Sequence, residues 1–283
     1  MNQSFQWDRG WQGQLRLVYA KKSDSTYLTH AYHHAPFKIQ RSFYPEGKSI
    51  CHNIILHTAG GMVGGDRLST DIHLHPHSQV LTTTATANRI YRSNGPLSAH
   101  HVHIKMDEGA TLEYLPQETI IFNGANYQQT LRIELGTGSK FIGWEIYRFG
   151  RTARGEKFIQ GEMRSQTELW QDKVPLWIDR QYVPGNEHIF HSAHGLNGCP
   201  VVGTLVFVGM PVDSDLVSQA QSLITSHPSS GVTRLEQGLL CRFRGHSTSE
   251  VKQWFMNVWK ILRSNYLSYD IIKTQTIPRV WQL

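Results

Sequence analysis

The strongest constraint on the fold is a strand–turn–strand unit that recurs about every thirty residues. Ile72, Leu74 and then Val80 alternate with polar neighbours. Val102, Ile104, Met106 and then Leu112 repeat the pattern, as do Leu131, Ile133, Leu135 and then Phe141. The starts at 72, 102 and 131 are 30 and 29 residues apart. A period of two places alternate side chains on one face of a strand. Each copy turns on a short polar or glycine segment: Pro76-His77-Ser78, Asp107-Glu108-Gly109 and Gly136-Thr137-Gly138. A unit this small cannot bury its own apolar face, so stacked β-layers are expected, as in a solenoid or β-helix. A β-sandwich would show strands at similar intervals. The predicted class is therefore all-β dominated, a β-helix-like stack of strands with two α-helices in the C-terminal half.

Both helices interrupt the period of two. Asp213 is a plausible N-cap for one whose apolar face is Leu216, Val217, Ala220, Leu223 and Ile224. The other opens on Ser247-Thr248-Ser249-Glu250, a capping box. Behind it, Val251, Trp254, Phe255, Val258, Trp259 and Leu262 recur at three and four, and packing into a core is the expectation for that stripe. With no linker or composition shift, residues 1–283 are read as one domain.

Composition narrows the function classes. A net charge of +6 with scattered Lys and Arg is compatible with an acidic protein partner, and no nucleic-acid-binding motif is present. Cys51, Cys199 and Cys241 fit neither a disulfide framework nor a zinc knuckle, so reduced thiols are expected. The N-terminal segment lacks the apolar stretch of a signal peptide, and the longest apolar run, 201–210, is too short to span a bilayer. A cytoplasmic protein without membrane contact is expected.

The stretch "HTAGGMVGGDRL" contains two glycine pairs, Gly60-Gly61 and Gly64-Gly65, between His57 and Asp66-Arg67. A phosphate loop needs a lysine where Asp66 stands, and a carboxylate there repels phosphate. The remaining readings are a turn between strands at 50–57 and 68–74, or a contact surface or conduit that presents Asp66. His73, His75 and His77 alternate, and stacking would bring His103 near His73 or His75. That gives a first-row metal pattern and a metal-dependent enzyme as the rival function. Glu118, Glu145 and Asp179 stand inside otherwise apolar strands, where a buried carboxylate needs a partner or a cation. Arg148, Arg151 and Arg154 are candidate partners. No nucleophile elbow, His-Glu-x-x-His or reactive cysteine setting occurs, and no catalytic residue is assigned.

Taken in order, "FYPEG", "CHNIILH", "GGMVGGDRL", "LTTTATANRIYRS", "LEYLPQETIIFNGA", "GRTARGEKF", "PVVGTLVF", "GHSTSEVKQWFMNVWKILR" and "IPRVW" resemble the urease accessory protein UreD (UreH) family, from about Trp11 to Trp281. The resemblance implies a β-helix-like fold with two helices and no chemistry of its own. It implies a scaffold that acts with UreF and the GTPase UreG on the urease apoprotein to install nickel, with an internal passage as a route for the ion. No tightly bound cofactor is then expected, only transient nickel. Asp66, Glu145 and Asp179 match acidic positions and become candidate transit residues; Glu118 is a weaker one. His57, Gly60, Gly61, Gly64, Gly65 and Arg67 form the accompanying passage motif. A passage requires oxygen or nitrogen ligands too sparse to trap the ion. Thr58-Ala59 replace two usual prolines, "TATANRIYR" replaces a commoner run while Arg89 keeps its charge, and Asn123 stands where Asp is common. The histidines of 73–77 have no counterpart in the family pattern.

Overall fold

The computed structural model describes residues 10–224, 229–266 and 276–281. The first strands are β1 (Gln12–Lys22), β2 (Ser25–His34), β3 (Phe37–Ile39), β4 (Ile50–His57), β5 (Arg67–Leu74) and β6 (Gln79–Thr84). Then come β7 (Asn88–Ile90), β8 (Ser98–Met106), β9 (Thr111–Tyr114), β10 (Thr119–Ile121), β11 (Asn126–Leu135) and β12 (Lys140–Phe149). The chain continues through β13 (Glu162–Gln171), β14 (Val174–Pro184), helix α1 (Glu187–His191), β15 (Val201–Val208) and helix α2 (Ser214–Ser222). It closes with β16 (Ser230–Leu235), β17 (Gly238–Gly245) and helix α3 (Thr248–Tyr266).

One sheet has the order β14-β13-β11-β8-β5-β1-β2; the other runs β16-β17-β15-β12-β9-β6-β4-β3, with β10 and β7 attached beside β12. The chain alternates between them, β5 to β6, β8 to β9, β11 to β12, and like strands stack in parallel. This is the expected solenoid. The register pairs Ile72 with Ile104 and Ile104 with Ile133, so Ile72 lies beside Ile104 rather than Val102. Val80, Leu112 and Phe141 line up as the pattern predicts. The slip is two residues, which keeps the same face inward. Aligned positions are then eight apart across every corner, and the extra length of the first copy falls between β6 and β8, on either side of β7, whose counterpart in the second copy is β10.

The corners stack as closely as the strands. The His77 N–H donates to the Glu108 carbonyl and the Gly109 N–H to the Thr137 carbonyl, both at 2.9 Å. His77, Gly109 and Gly138 repeat one left-handed backbone conformation, with φ of 59°, 62° and 67°. The His77 ring occupies the space a Cβ on Gly109 would need, 2.3 Å from Nδ1. His77 is thereby separated from His73 and His75.

Two apolar layers result. Leu15, Leu17, Ile72, Ile104, Ile133 and Leu169 of the seven-stranded sheet meet Val80, Leu112, Phe141 and Phe149 of the other. The outer face of the ten-stranded sheet buries Ile142, Trp144, Leu205, Phe207 and Phe243 against α2 and α3. The predicted stripe Val251, Trp254, Phe255, Val258, Trp259 and Leu262 is buried there. The caps form as expected: Asp213 accepts from Leu216 N–H at 2.7 Å and Ser247 Oγ from Glu250 N–H at 3.2 Å. The five-residue α1, capped by Asn186, is a third helix that no apolar period announces.

A buried ion cluster fixes α3. Arg263 is fully buried and donates to Glu46 at 2.7 and 2.8 Å and to Glu113 at 2.8 Å. His52 lies 2.9 Å from Glu46, and Tyr266 donates to Glu113 at 2.6 Å. Burial alone would raise the Glu46 carboxyl, but hydrogen bonds from Arg263 and His52 outweigh it and hold it at about 2.

Candidate functional site: a cavity between the sheets

A cavity of about 80 Å³ opens where the ends of β4, β6, β9 and β12 meet the glycine segment. It has room for several waters. Its polar lining includes His57, Asn88, His100, Gln117, Gln129 and Glu145, and Tyr114 and Tyr147 supply aromatic walls.

His57 ends β4 and packs edge-on against Phe37, with ring centroids 6.1 Å apart. Among the described residues, neither buried ring nitrogen of His57 has a hydrogen-bond partner, and the same holds for Asn88 Oδ1. Burial lowers the His57 pKa although the charge of Asp66 opposes it. His100 sits beside Phe37 and accepts or donates a hydrogen bond with Thr70 Oγ1 at 3.0 Å. Burial, with the neighbouring His57 and His101, pushes its pKa down to about 3. Both imidazoles are therefore neutral near pH 7, the form that ligates a metal.

Glu145 projects from β12 between the sheets. Tyr147 donates to Oε1 at 2.8 Å and Thr167 to Oε2 at 2.6 Å, with Gln129 as a further donor. Desolvation raises its pKa, partly offset by those hydrogen bonds. Thr167 is also the register partner of Asp179 across β13 and β14. Asp179 is held by Arg242 at 2.7 Å, and Arg242 donates to Thr204, the residue opposite Glu145 on β15. Glu145 and Asp179 thus belong to one network, with Glu145 at the cavity wall and Asp179 behind it. Its cation is Arg242: Arg151 pairs with Glu156 and Arg148 contacts Thr152. Glu118 lies elsewhere, 3.4 Å from Lys252 on α3.

The passage motif divides in two. His57, Gly60 and Gly61 line the cavity; Gly64, Gly65, Asp66 and Arg67 do not. Gly61, at φ 150°, lets the backbone approach Arg89, whose carbonyl would lie 2.4 Å from an added Cβ. Gly65 abuts Gly10, where a Cβ would meet its carbonyl at 2.2 Å. Asp66 is buried and closes this contact: Oδ1 accepts from Trp11 N–H at 2.9 Å and Oδ2 from Val63 N–H at 2.8 Å. Arg67 donates to the Leu97 carbonyl. Asn123 accepts from the N–H groups of Ile159 and Gln160 through Oδ1, a task that a carboxylate oxygen performs equally.

The histidine rival changes its members. The register places His103 opposite Asp71 and Arg132, and Lys105 opposite His73. His103 lies 3.9 Å from Asp71 and 3.7 Å from Glu134. It does not join His73 and His75; Asp107 from the adjoining corner does.

Fold and cavity together define a β-solenoid scaffold in which two neutral imidazoles and a carboxyl group line a cavity between the sheets. The profile of the UreD urease accessory protein family matches residues 12–282. Urease accessory protein UreD of Nostoc sp. (strain PCC 7120) is 57% identical over 274 residues, covering 97% of each chain. That of Acaryochloris marina is 49% identical over 276 residues, covering 96% of each. The UreD of Synechocystis sp. (strain PCC 6803) is 45% identical over 256 residues, 89% of this chain and 95% of its own. The chain belongs to the UreD family of urease accessory proteins, which are assembly factors rather than enzymes. No helix among the described residues is long and apolar enough to cross a membrane.

Proposed function

We propose that this chain, with UreF and UreG in the cytoplasm, binds the urease apoprotein and conducts nickel toward its active site through the cavity between the sheets, along its few polar groups. The observation that carries the reading is the pair of partnerless His57 ring nitrogens in a cavity that also presents Glu145. Buried polar atoms without partners are costly unless water or an ion reaches them. Two neutral imidazoles and a carboxylate offer Ni²⁺ replacement ligands without a closed four-ligand cage. Asp179 supports Glu145 from behind, and Asp66 sets the position of the glycine segment that carries Gly60 and Gly61. Glu118, paired with Lys252, serves the attachment of α3.

The test is co-expression with UreF, UreG and apo-urease, followed by metal analysis of the urease. His57→Ala should leave complex yield intact and lower urease nickel at least about tenfold, the scale of a lost metal-site contact. Full nickel at equal complex yield would favour a tether whose interior carries nothing.

A further inference from the structure

We propose that His73, His75 and Asp107 form a binding site for a first-row divalent transition cation, Zn²⁺ or Ni²⁺, on the outer face of the seven-stranded sheet. The Asp107 Oδ2 atom lies 3.0 Å from His73 Nε2 and 3.3 Å from His75 Nδ1. All three ligand atoms fall within 4.8 Å of one another. Ligands about 2.1 Å from a cation stand about 3.0 Å apart at octahedral cis positions and about 3.4 Å apart in a tetrahedron. The two distances from Asp107 to the imidazoles already have that spacing. The two rings are neighbours, with centroids 4.5 Å apart.

The backbone presets the three side chains. His73 is held between β1 and β8, and the His75 N–H donates to the Tyr19 carbonyl at 2.9 Å. Asp107 donates through its N–H to Leu74 and accepts from Ala110, which fixes it at the corner of the next coil. Ligands on stacked coils form a site from residues 34 and 32 positions apart, so solenoid register sets the metal geometry. Two imidazoles with one carboxylate select first-row transition ions over Ca²⁺ or Mg²⁺, which prefer all-oxygen shells. Partial exposure of all three residues leaves the remaining positions to water or to a ligand from outside. Lys105, beside His73 on the same face, is the one opposing charge in that register row among the described residues.

This site is separate from the cavity. Leu68 of β5 lines the cavity, while His73 and His75 lie five and seven residues further on. At about 3.3 Å per residue the two are about 17–23 Å apart along the sheet. They also face opposite ways, since Ile72 and Leu74 point into the core.

Titration of the purified chain with Zn²⁺ and with Ni²⁺, by calorimetry and X-ray absorption, tests the assignment. The wild type should bind one equivalent with imidazole scattering that His75→Gln and Asp107→Asn each weaken beyond the about 10–100-fold cost of an outer-shell loss. Glu145→Gln should retain that equivalent. Circular dichroism confirms that each variant is folded; a variant that is not is replaced by His73→Gln. Unchanged stoichiometry and affinity in the surface variants, or loss of the equivalent in Glu145→Gln instead, would overturn the site.

Discussion

At the scale of single residues, position in the backbone decides what a side chain does, and the sequence shows only part of it. Asp66 reads as an acidic residue exposed by glycines, yet its two oxygens accept N–H groups from Trp11 and Val63. Asp66→Ala should therefore cost about 1–3 kcal/mol by leaving donors unpaired. Chemical denaturation measures this loss, which must be known before any change in nickel delivery is assigned to the carboxylate. His100 supplies a pH dependence. Its folded pKa lies below the ordinary 6.5, at about 3, so the unfolded chain takes up the proton first. The stability it contributes is present above pH 6.5 and is lost as the pH falls from 6.5 toward 3. Melting temperature should begin to drop below pH 6.5, and His100→Gln should reduce the part of that drop between 6.5 and 4.5. The partners of His100 were not legible, because burial of a polar strand residue depends on which coil stacks upon it.

Among elements, α3 shows most clearly what is local and what is not. Its cap and apolar stripe are written in consecutive residues, and its orientation toward the sheet follows from them. The ion cluster that locks it is not, since Arg263 finds Glu113 and Glu46 150 and 217 positions away. Arg263→Ala takes the guanidinium from two buried carboxylates, leaving Glu46 with His52 and Glu113 with Tyr266, and should destabilise by about 3–5 kcal/mol, read from denaturant unfolding. Glu46 has a lowered pKa, so its stabilisation is complete above pH 4.5 and disappears as the pH falls toward 2. Acid unfolding of wild type should steepen in that window, and Glu46→Gln should flatten it. The strands were legible from alternation, whereas the register was not. The first copy slips by two residues because the corner, constant at eight, governs the alignment and the insertion lies elsewhere.

For the whole molecule, the stacked coils give a scaffold whose corners are hydrogen-bonded coil to coil along one edge and whose opposite edge holds the cavity between the sheets. The repeat made the solenoid legible and the ordered motifs made the family legible. The cavity needed three dimensions, because His57, His100 and Glu145 come from three strands separated by 43 and 45 positions. The proposed conduction of nickel rests on this arrangement. Glu145→Gln is the variant of choice: it keeps the size of the side chain while removing the charge that burial already disfavours, together with one of the two acceptor oxygens. The decisive measurement is the nickel content of urease matured with that variant at a yield of assembled complex equal to wild type. Conduction through the cavity predicts urease deficient in nickel although the complex forms. Urease fully loaded with nickel by Glu145→Gln would contradict it.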